Sequence, residues 1–186
     1  MKKTVLTFGL IAGAILSAMM LITVPFQDEI GFDRGQIVGY TSMVLAFLLI
    51  YFGVRSYRDN VAGGSLSFGR AFQVGGLIAV VASVCYVATW QLVYYKLSPD
   101  FTARYQAHIL DKARADGETE AQLAKREADM EKFAALYRNP AINAGITFLE
   151  PLPVALIMTL VTAGVLSRRG KSQSDETIAS TASVLT

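Results

Sequence analysis

Cysteine and histidine are nearly absent from this chain, each occurring once among its 186 residues, as Cys85 and His108. A single cysteine excludes an intrachain disulfide and a thiolate metal site, and a single histidine excludes a histidine cluster with metal-ligand spacing. A Ser/His/Asp arrangement would have to be built on His108 alone, which lies in a segment with the pattern of an ordinary helix face. We therefore expect no metal, no cofactor and no catalytic residue, and an enzyme is the least favoured class of protein.

Charge is also scarce, because Asp, Glu, Lys and Arg make up 17% of the residues against 53% hydrophobic residues, and four long apolar stretches separate them. A helix needs about 20 apolar residues to cross a bilayer, and unpaired backbone groups are so costly in lipid that such segments should be helical. The alternating ten-residue pattern of a membrane β-barrel is missing. The sequence predicts an all-α integral membrane four-helix bundle, with helices at about residues 4–24, 36–54, 71–95 and 141–166.

The first apolar stretch has a second interpretation, a cleaved signal peptide, because Lys2 and Lys3 precede it and small residues such as Ser17 follow its centre. Its uncharged run reaches Val24, however, which is longer than the apolar region of most signal peptides. We favour a membrane helix that the protein keeps.

The basic residues of the short loops fall on one side of the predicted bundle, whereas residues 25–35 contain one arginine and three acids. By the positive-inside rule both termini are then cytoplasmic, and residues 96–140 form an insert on the other side of the membrane. The membrane domain comprises residues 1–168, and the unpatterned segment 169–186 is expected to be a disordered cytoplasmic tail. Because the Lys and Arg residues are dispersed and no aromatic residues are interleaved with them, nucleic acid is not an expected partner.

Residues 96–140 carry two signals of amphipathic helices. Ser98-Pro99-Asp100 has the order of an N-cap, a first-turn proline and an acidic second residue, and Thr119 with Gln122 forms a capping box. We expect the two helices to bury their apolar stripes against each other; the alternatives are a docked partner protein and contact with the membrane surface. The second stripe consists of Leu123, Met130, Phe133 and Tyr137.

Four aromatic residues cluster near the end of the third apolar stretch: Tyr86, Trp90, Tyr94 and Tyr95. Amphipathic rings favour the headgroup region of a bilayer, so we interpret the cluster as a belt of interfacial anchors. The sharper alternative is an aromatic box that binds a ligand.

The loop before the third helix, GGSLSFGRAFQVG at residues 63–75, resembles the GG.ISFG.AF..G stretch of a bacterial family, the domain of unknown function 4199. Three further segments agree with that family: RSYRD at residues 55–59, YKLSPDF at 95–101 and FLE at 148–150. The resemblance covers most of residues 1–168. It implies a small four-helix protein of the bacterial inner membrane, and it implies no activity, since the family has no assigned chemistry.

The same loop permits an anion site. Gly63 and Gly64 allow a turn with positive φ, Ser67 can cap the following helix, and Arg70 lies in its first turn. A glycine-rich turn leading into a helix N-terminus can hold phosphate, but the lysine pattern of a Walker motif is missing. We favour a structural turn that returns the chain to the membrane, and the four residues remain anion-site candidates.

The main functional candidates are Glu150, Pro151 and Pro153, a carboxylate and two prolines within the fourth apolar stretch. Carboxylates in membrane spans mark ion or substrate paths, and prolines free backbone carbonyls of the preceding turn. If the helix begins near Ala141, Glu150 faces the bundle interior and needs a partner, whereas a helix that begins at Pro151 leaves Glu150 at the interface. We favour the first placement.

Two classes of function follow from these residues. The sequence favours a non-enzymatic membrane protein that acts by interaction, with the lipid bilayer, with a protein partner or by self-association. The alternative is a subunit of a small transporter or proton-linked channel that uses Glu150, although four helices show no inverted repeat.

Overall fold

The computed structural model of the protein describes residues 1–167, and this part of the chain is helical without any strand. The all-α prediction is therefore confirmed, while the predicted disordered tail at 169–186 lies outside the described residues. The helices are α1 (Lys2–Thr23), α2 (Gln27–Ile30), α3 (Phe32–Asn60), α4 (Phe68–Leu92), α5 (Phe101–Ala115), α6 (Glu120–Tyr137), α7 (Pro140–Leu149) and α8 (152–167).

Four helical segments are long and apolar enough to cross a membrane, and each contains one of the four predicted stretches. Large apolar side chains such as Leu45 and Ile157 are exposed along their outer faces, which is the surface that lipid favours and water does not. The chain is thus a membrane protein. The segments are Lys2–Phe26, Phe32–Asn60, Phe68–Leu97 and Pro140–Ser167.

Helices α1 and α4 run parallel and in close contact through small residues. Gly9 lies against Val81 and Gly13 against Cys85, and the hydroxyl of Thr89 donates to Ser17 at 2.7 Å. The partners are 72 positions apart in all three pairs, so the two helices stay in register over this length. The repeated small residues therefore serve packing inside the bundle, because they let two backbones approach.

Helix α4 also runs antiparallel to the last span, since in pairs of contacting residues the numbers rise along α4 and fall along the last span. Gly75 faces Thr159, and Tyr86 contacts Glu150.

We call the end of the bundle that carries residues 61–67 the loop end, and the end that carries α5 and α6 the insert end. The largest fully buried apolar side chains of α3 and α4 are Phe47, Ile50, Val54, Val74 and Ile78.

Two of the three predicted helix starts agree with the structure. The Ser67 side chain accepts the Arg70 amide, and Thr119 and Gln122 form the capping box. The predicted cap at Ser98 is wrong, because α4 continues through a π-helical turn (Val93–Leu97) and the Ser98 amide still donates to Val93 O at 2.8 Å. Helix α5 instead begins at Phe101.

The predicted burial of the apolar stripe on α6 is only partly correct. Leu123 is buried beside the turn that joins the two insert helices, but Phe133 is 51% exposed. Phe133 and Tyr137 lie in the wall of a cavity between the insert and the bundle. Some residues of the stripe therefore pack between helices, and others line the cavity. The spacing of the apolar residues alone does not distinguish these two roles.

Candidate functional site

A cavity of about 1050 Å³ lies at the insert end, between the last turns of α1, the first turns of α3, the end of α4, the insert helices and α7. Small-molecule sites in proteins are typically about 300–1,000 Å³, so this space is slightly larger than that range. Methionine and aromatic side chains make up much of its wall. The rings include Phe32, Tyr86, Trp90, Phe101, Phe133 and Tyr137.

Glu150 lies in this wall, where the last span is interrupted. Asn139 caps α7 through bonds to the amides of Ala141 and Ile142, α7 ends at Leu149, and the helix resumes at residue 152. Proline has no amide proton, so Pro151 cannot continue the hydrogen-bond ladder. At about 1.5 Å per residue the ten residues of α7 place Glu150 roughly 15 Å from the start of that helix, while a new helix begins just after Pro151. The structure thus has a helix on each side of Glu150, and the depth of Glu150 in the membrane stays a prediction.

The carboxylate of Glu150 accepts a hydrogen bond of 3.0 Å from the hydroxyl of Tyr86 on α4. Tyr86 is 9% exposed, and both residues belong to the cavity wall. The partner that the sequence argument required is therefore a tyrosine, 64 positions away in the chain. Pro151, the residue that follows Glu150, is buried, while Pro153 is exposed.

A second hydrogen-bonded chain fixes the wall beside Glu150. Trp90 Nε1 donates to the Tyr137 hydroxyl at 2.9 Å, and that hydroxyl lies 3.1 Å from Thr147 Oγ1. Burial raises the pKa of Tyr137, so its hydroxyl stays protonated near neutral pH. Since the Tyr137 oxygen accepts a hydrogen bond from Trp90, the proton of the Tyr137 hydroxyl is available for Thr147. These polar contacts hold α4, α6 and α7 together.

The adjacent turn strengthens the same junction. Gln91 donates through Nε2 to Asn143 Oδ1 at 2.9 Å, and the Asn143 side chain has no exposed surface. Tyr95 donates to the carbonyl of Arg138 at 3.0 Å. Buried polar side chains require such partners, so the junction beside the wall has a defined geometry.

The side of the cavity formed by the insert is charged, and most of its charges are paired, although Lys125 has no ion pair among the described residues. Lys112 Nζ is 3.0 Å from Asp33 Oδ2, and His108 Nε2 is 3.5 Å from Asp33 Oδ1. These contacts join α5 to the first turn of α3. Arg126 binds Glu118 through two nitrogens, and its guanidinium holds the pKa of Glu118 below the usual range of a glutamate.

The anion-site candidates lie at the loop end, away from this cavity. Gly63 and Gly64 have φ values of 70° and 88°, as the predicted turn requires. Ser67 is engaged as a helix cap, and the Arg70 guanidinium lies 3.4 Å from the Tyr57 hydroxyl and 3.2 Å from Gln73 Oε1. Their contacts are those of a structural turn, and anion binding there stays a prediction.

Sequence reasoning missed the grouping of these residues. Tyr86 and Trp90 lie in the cavity wall, where Trp90 bonds Tyr137 of the insert. The spacing pattern had assigned Tyr137 to helix packing, so it did not reveal this contact. Whether these rings anchor the chain at the membrane interface or bind a ligand stays a prediction.

The chain belongs to the family described as "Protein of unknown function (DUF4199)", whose family model matches residues 7–168. No curated protein and no solved structure matches the chain at a significant level. The function therefore has to be argued from the cavity and its residues.

Proposed function

We propose that this member of a family of unknown function is a non-enzymatic, multi-pass membrane protein that binds an amphiphilic molecule in the cavity at its insert end. The observation that carries the proposal is a space of about 1050 Å³ with an aromatic and methionine-rich wall and one carboxylate at its inner part. Ligand sites combine an apolar wall with a few placed polar groups in this way. An amphiphile can reach such a site from the surrounding lipid.

Chemistry on the bound molecule has little support from the described residues. Within residues 1–167, no group of three or more His, Cys, Asp or Glu side chains is placed to hold a metal ion. Glu150 is bonded to Tyr86, and the histidine at the cavity is paired with Asp33. Acid–base or nucleophilic catalysis requires a group placed against a reacting atom, whereas binding requires only the wall.

The single tryptophan of the chain gives a direct test of binding, because Trp90 lies in the cavity wall. We expect 12-bromododecan-1-ol, whose bromine quenches indole fluorescence on contact, to quench Trp90 saturably in protein reconstituted into nanodiscs. Gly39 also lines the cavity, and a Cβ added there meets nothing within 4 Å, so Gly39→Phe should fill the space and lower the affinity.

The matched control is Gly76→Phe, because a Cβ at Gly76 also meets nothing within 4 Å and Gly76 is not part of the cavity wall. This variant should bind the probe like the wild type. Quenching that does not saturate, or that both phenylalanine variants leave unchanged, would show that the probe reaches Trp90 from the bilayer and would contradict the proposal.

A second candidate function is a transporter or proton-linked channel subunit that uses Glu150. The observation that favours it is a pair of buried hydroxyls within the bundle: those of Ser83 and Thr159 have no hydrogen-bond partner among the described residues. Buried hydroxyls can accept water, and water could connect them to Glu150. Proton flux into proteoliposomes, with Glu150→Gln as the comparison, tests this candidate; equal flux in empty vesicles would rule it out.

The proposed setting is the bacterial inner membrane, with both termini cytoplasmic and the insert outside. The support is the positive-inside distribution of short-loop Lys and Arg, together with parallel α1 and α4, which an alternating path through a membrane requires. Reporter fusions after Lys3 and Gly64 should be cytoplasmic, and a reporter at Gly117 should be outside. A cytoplasmic reporter at Gly117 would contradict this topology. A protein partner or self-association is compatible with the same setting.

A further inference from the structure

The charged groups of the cavity are distributed unequally between its two sides. On the insert side Lys112 pairs with Asp33, and Arg126 pairs with Glu118. At the inner part of the cavity Glu150 takes part in no ion pair among the described residues, and Tyr86 is its one hydrogen-bond partner there. A carboxylate can accept about four hydrogen bonds, so most of the capacity of Glu150 is available to a ligand.

Two of the hydrogen-bond donors near Glu150 are engaged, and the hydroxyl of Tyr40, which also lies in the cavity wall, is a neutral donor. Tyr86 donates to Glu150, and Trp90 donates to Tyr137. The Tyr137 hydroxyl is in turn within 3.1 Å of Thr147 Oγ1. This part of the wall therefore offers a strong acceptor, only neutral donors and no cation paired with Glu150 among the described residues, which favours a ligand that donates hydrogen bonds or carries a positive charge over an anionic one.

The surrounding rings favour the same charge. Trp90 packs edge-on against Phe101 with ring centroids 5.1 Å apart, and Phe133 stacks on Tyr137 at 5.4 Å, so the rings of the wall form a packed cluster. The face of an aromatic ring attracts cations, most strongly when water is excluded. Cages of aromatic rings with a nearby carboxylate suit ammonium groups, because the two attractions act together.

From this geometry we infer that the occupant of the cavity is an organic cation, an alkylammonium with an apolar tail, whose ammonium group binds Glu150. The inference rests on the proposed binding of an amphiphile and specifies its charge. The ammonium lies between the Glu150 carboxylate and the aromatic wall. The tail lies along the methionine and aromatic side chains that extend toward the insert, among them Met20, Met43 and Phe133.

Competition against the quenching of Trp90 by 12-bromododecan-1-ol tests the charge preference. Dodecylammonium, dodecan-1-ol and dodecanoate have equal tails and differ in charge at pH 7, and each is added to nanodiscs of neutral lipid at a measured bilayer concentration. We expect dodecylammonium to compete about tenfold or more better than dodecanol, since charge-assisted hydrogen bonds are the stronger ones, and dodecanoate to compete worst. Equal competition by the three probes would overturn the inference and leave binding of an amphiphile intact.

The variant Glu150→Gln should remove the preference for dodecylammonium while still binding 12-bromododecan-1-ol, which also shows that the variant is folded. Glu120→Gln is the matched control, because Glu120 is an exposed carboxylate of the insert that is not part of the cavity wall. It should keep the preference. A preference that persists in Glu150→Gln would contradict the assignment to Glu150.

The binding of the ammonium group to Glu150 can also be tested in the wild-type protein, without any variant. Dicyclohexylcarbodiimide modifies carboxyl groups in apolar surroundings, and mass spectrometry locates the adduct. Dodecylammonium should protect Glu150 from modification at concentrations at which dodecanol does not. Absence of protection by dodecylammonium would overturn the inference, whereas failure of every probe to bind would overturn the proposed function as well.

Discussion

The loop end and the insert end of the bundle differ in how their helices fill the space between them. Toward the loop end, glycine lets helices touch: a Cβ at Gly53 would lie 2.5 Å from Ile78, and Ile50, Val54 and Val74 have no exposed surface. Toward the insert end, aromatic side chains hold α4, α6 and α7 together by hydrogen bonds and leave a cavity of about 1050 Å³.

The two ends should therefore tolerate substitutions for different reasons. A close-packed interface has no room for added atoms, because dispersion contacts already fill it. A polar framework around a cavity has room for added atoms, but it depends on the partners that keep its geometry. Added volume should therefore damage the packed half, and the same volume should only change ligand binding in the open half.

The largest expected effect is that of Gly13→Leu. A Cβ at Gly13 would lie 2.6 Å from Cys85 Cβ, so leucine must push α1 away from α4. We expect a loss of about 3 kcal/mol or more in the free energy of unfolding. Thermal unfolding in detergent measures it, with Gly76→Leu as the control, since a Cβ there meets nothing within 4 Å. Equal stability of the two variants would show that the α1–α4 contact is loose.

A smaller effect should separate two positions on α6. Leu123 is 7% exposed, so Leu123→Asp removes buried apolar surface and adds a charge, and the insert should lose about 2–3 kcal/mol. Phe133 is 51% exposed toward the cavity, so Phe133→Asp should cost under about 1 kcal/mol while weakening the binding of 12-bromododecan-1-ol. Protease resistance of the insert measures the loss of stability in each of the two variants. If Phe133→Asp made the insert the more protease-sensitive of the two, Phe133 would have to be a packing residue.

Local signals predicted much of the fold. Four apolar stretches fixed the spans, and the caps at Ser67 and Thr119 depend on residues three positions apart. The site depends instead on distant pairs, such as Tyr86 with Glu150, 64 positions apart, and Trp90 with Tyr137, 47 apart. The spacing of apolar residues is the same for a buried stripe and for a cavity wall, so the sequence could not reveal which space stays unfilled.

The smallest expected effect concerns the paired charges on the insert side of the cavity. Arg126 lowers the pKa of Glu118 in the folded protein below the value of an unfolded chain, about 4.3. The stabilisation from this pair is therefore fully present above the unfolded pKa, and it is lost as the pH falls through the lower folded pKa. The effect should be slight, because both side chains are accessible to water and salt screens the pair.

Hydrogen exchange of the amides around Gly117, followed from pH 6 down to pH 3, can detect this change after correction for the intrinsic exchange rate. In the wild-type protein the protection of these amides should fall slightly below about pH 4.3, and Glu118→Gln should abolish that step. Asp129→Asn is a suitable control, because Asp129 pairs with Lys132 at 3.6 Å on the same helix but does not join the turn to α6. A step of the same size in Glu118→Gln would assign the pH dependence to other carboxylates. In that case the geometry of the turn would rest on Gly117, whose φ is 83°, and on the capping box at Thr119.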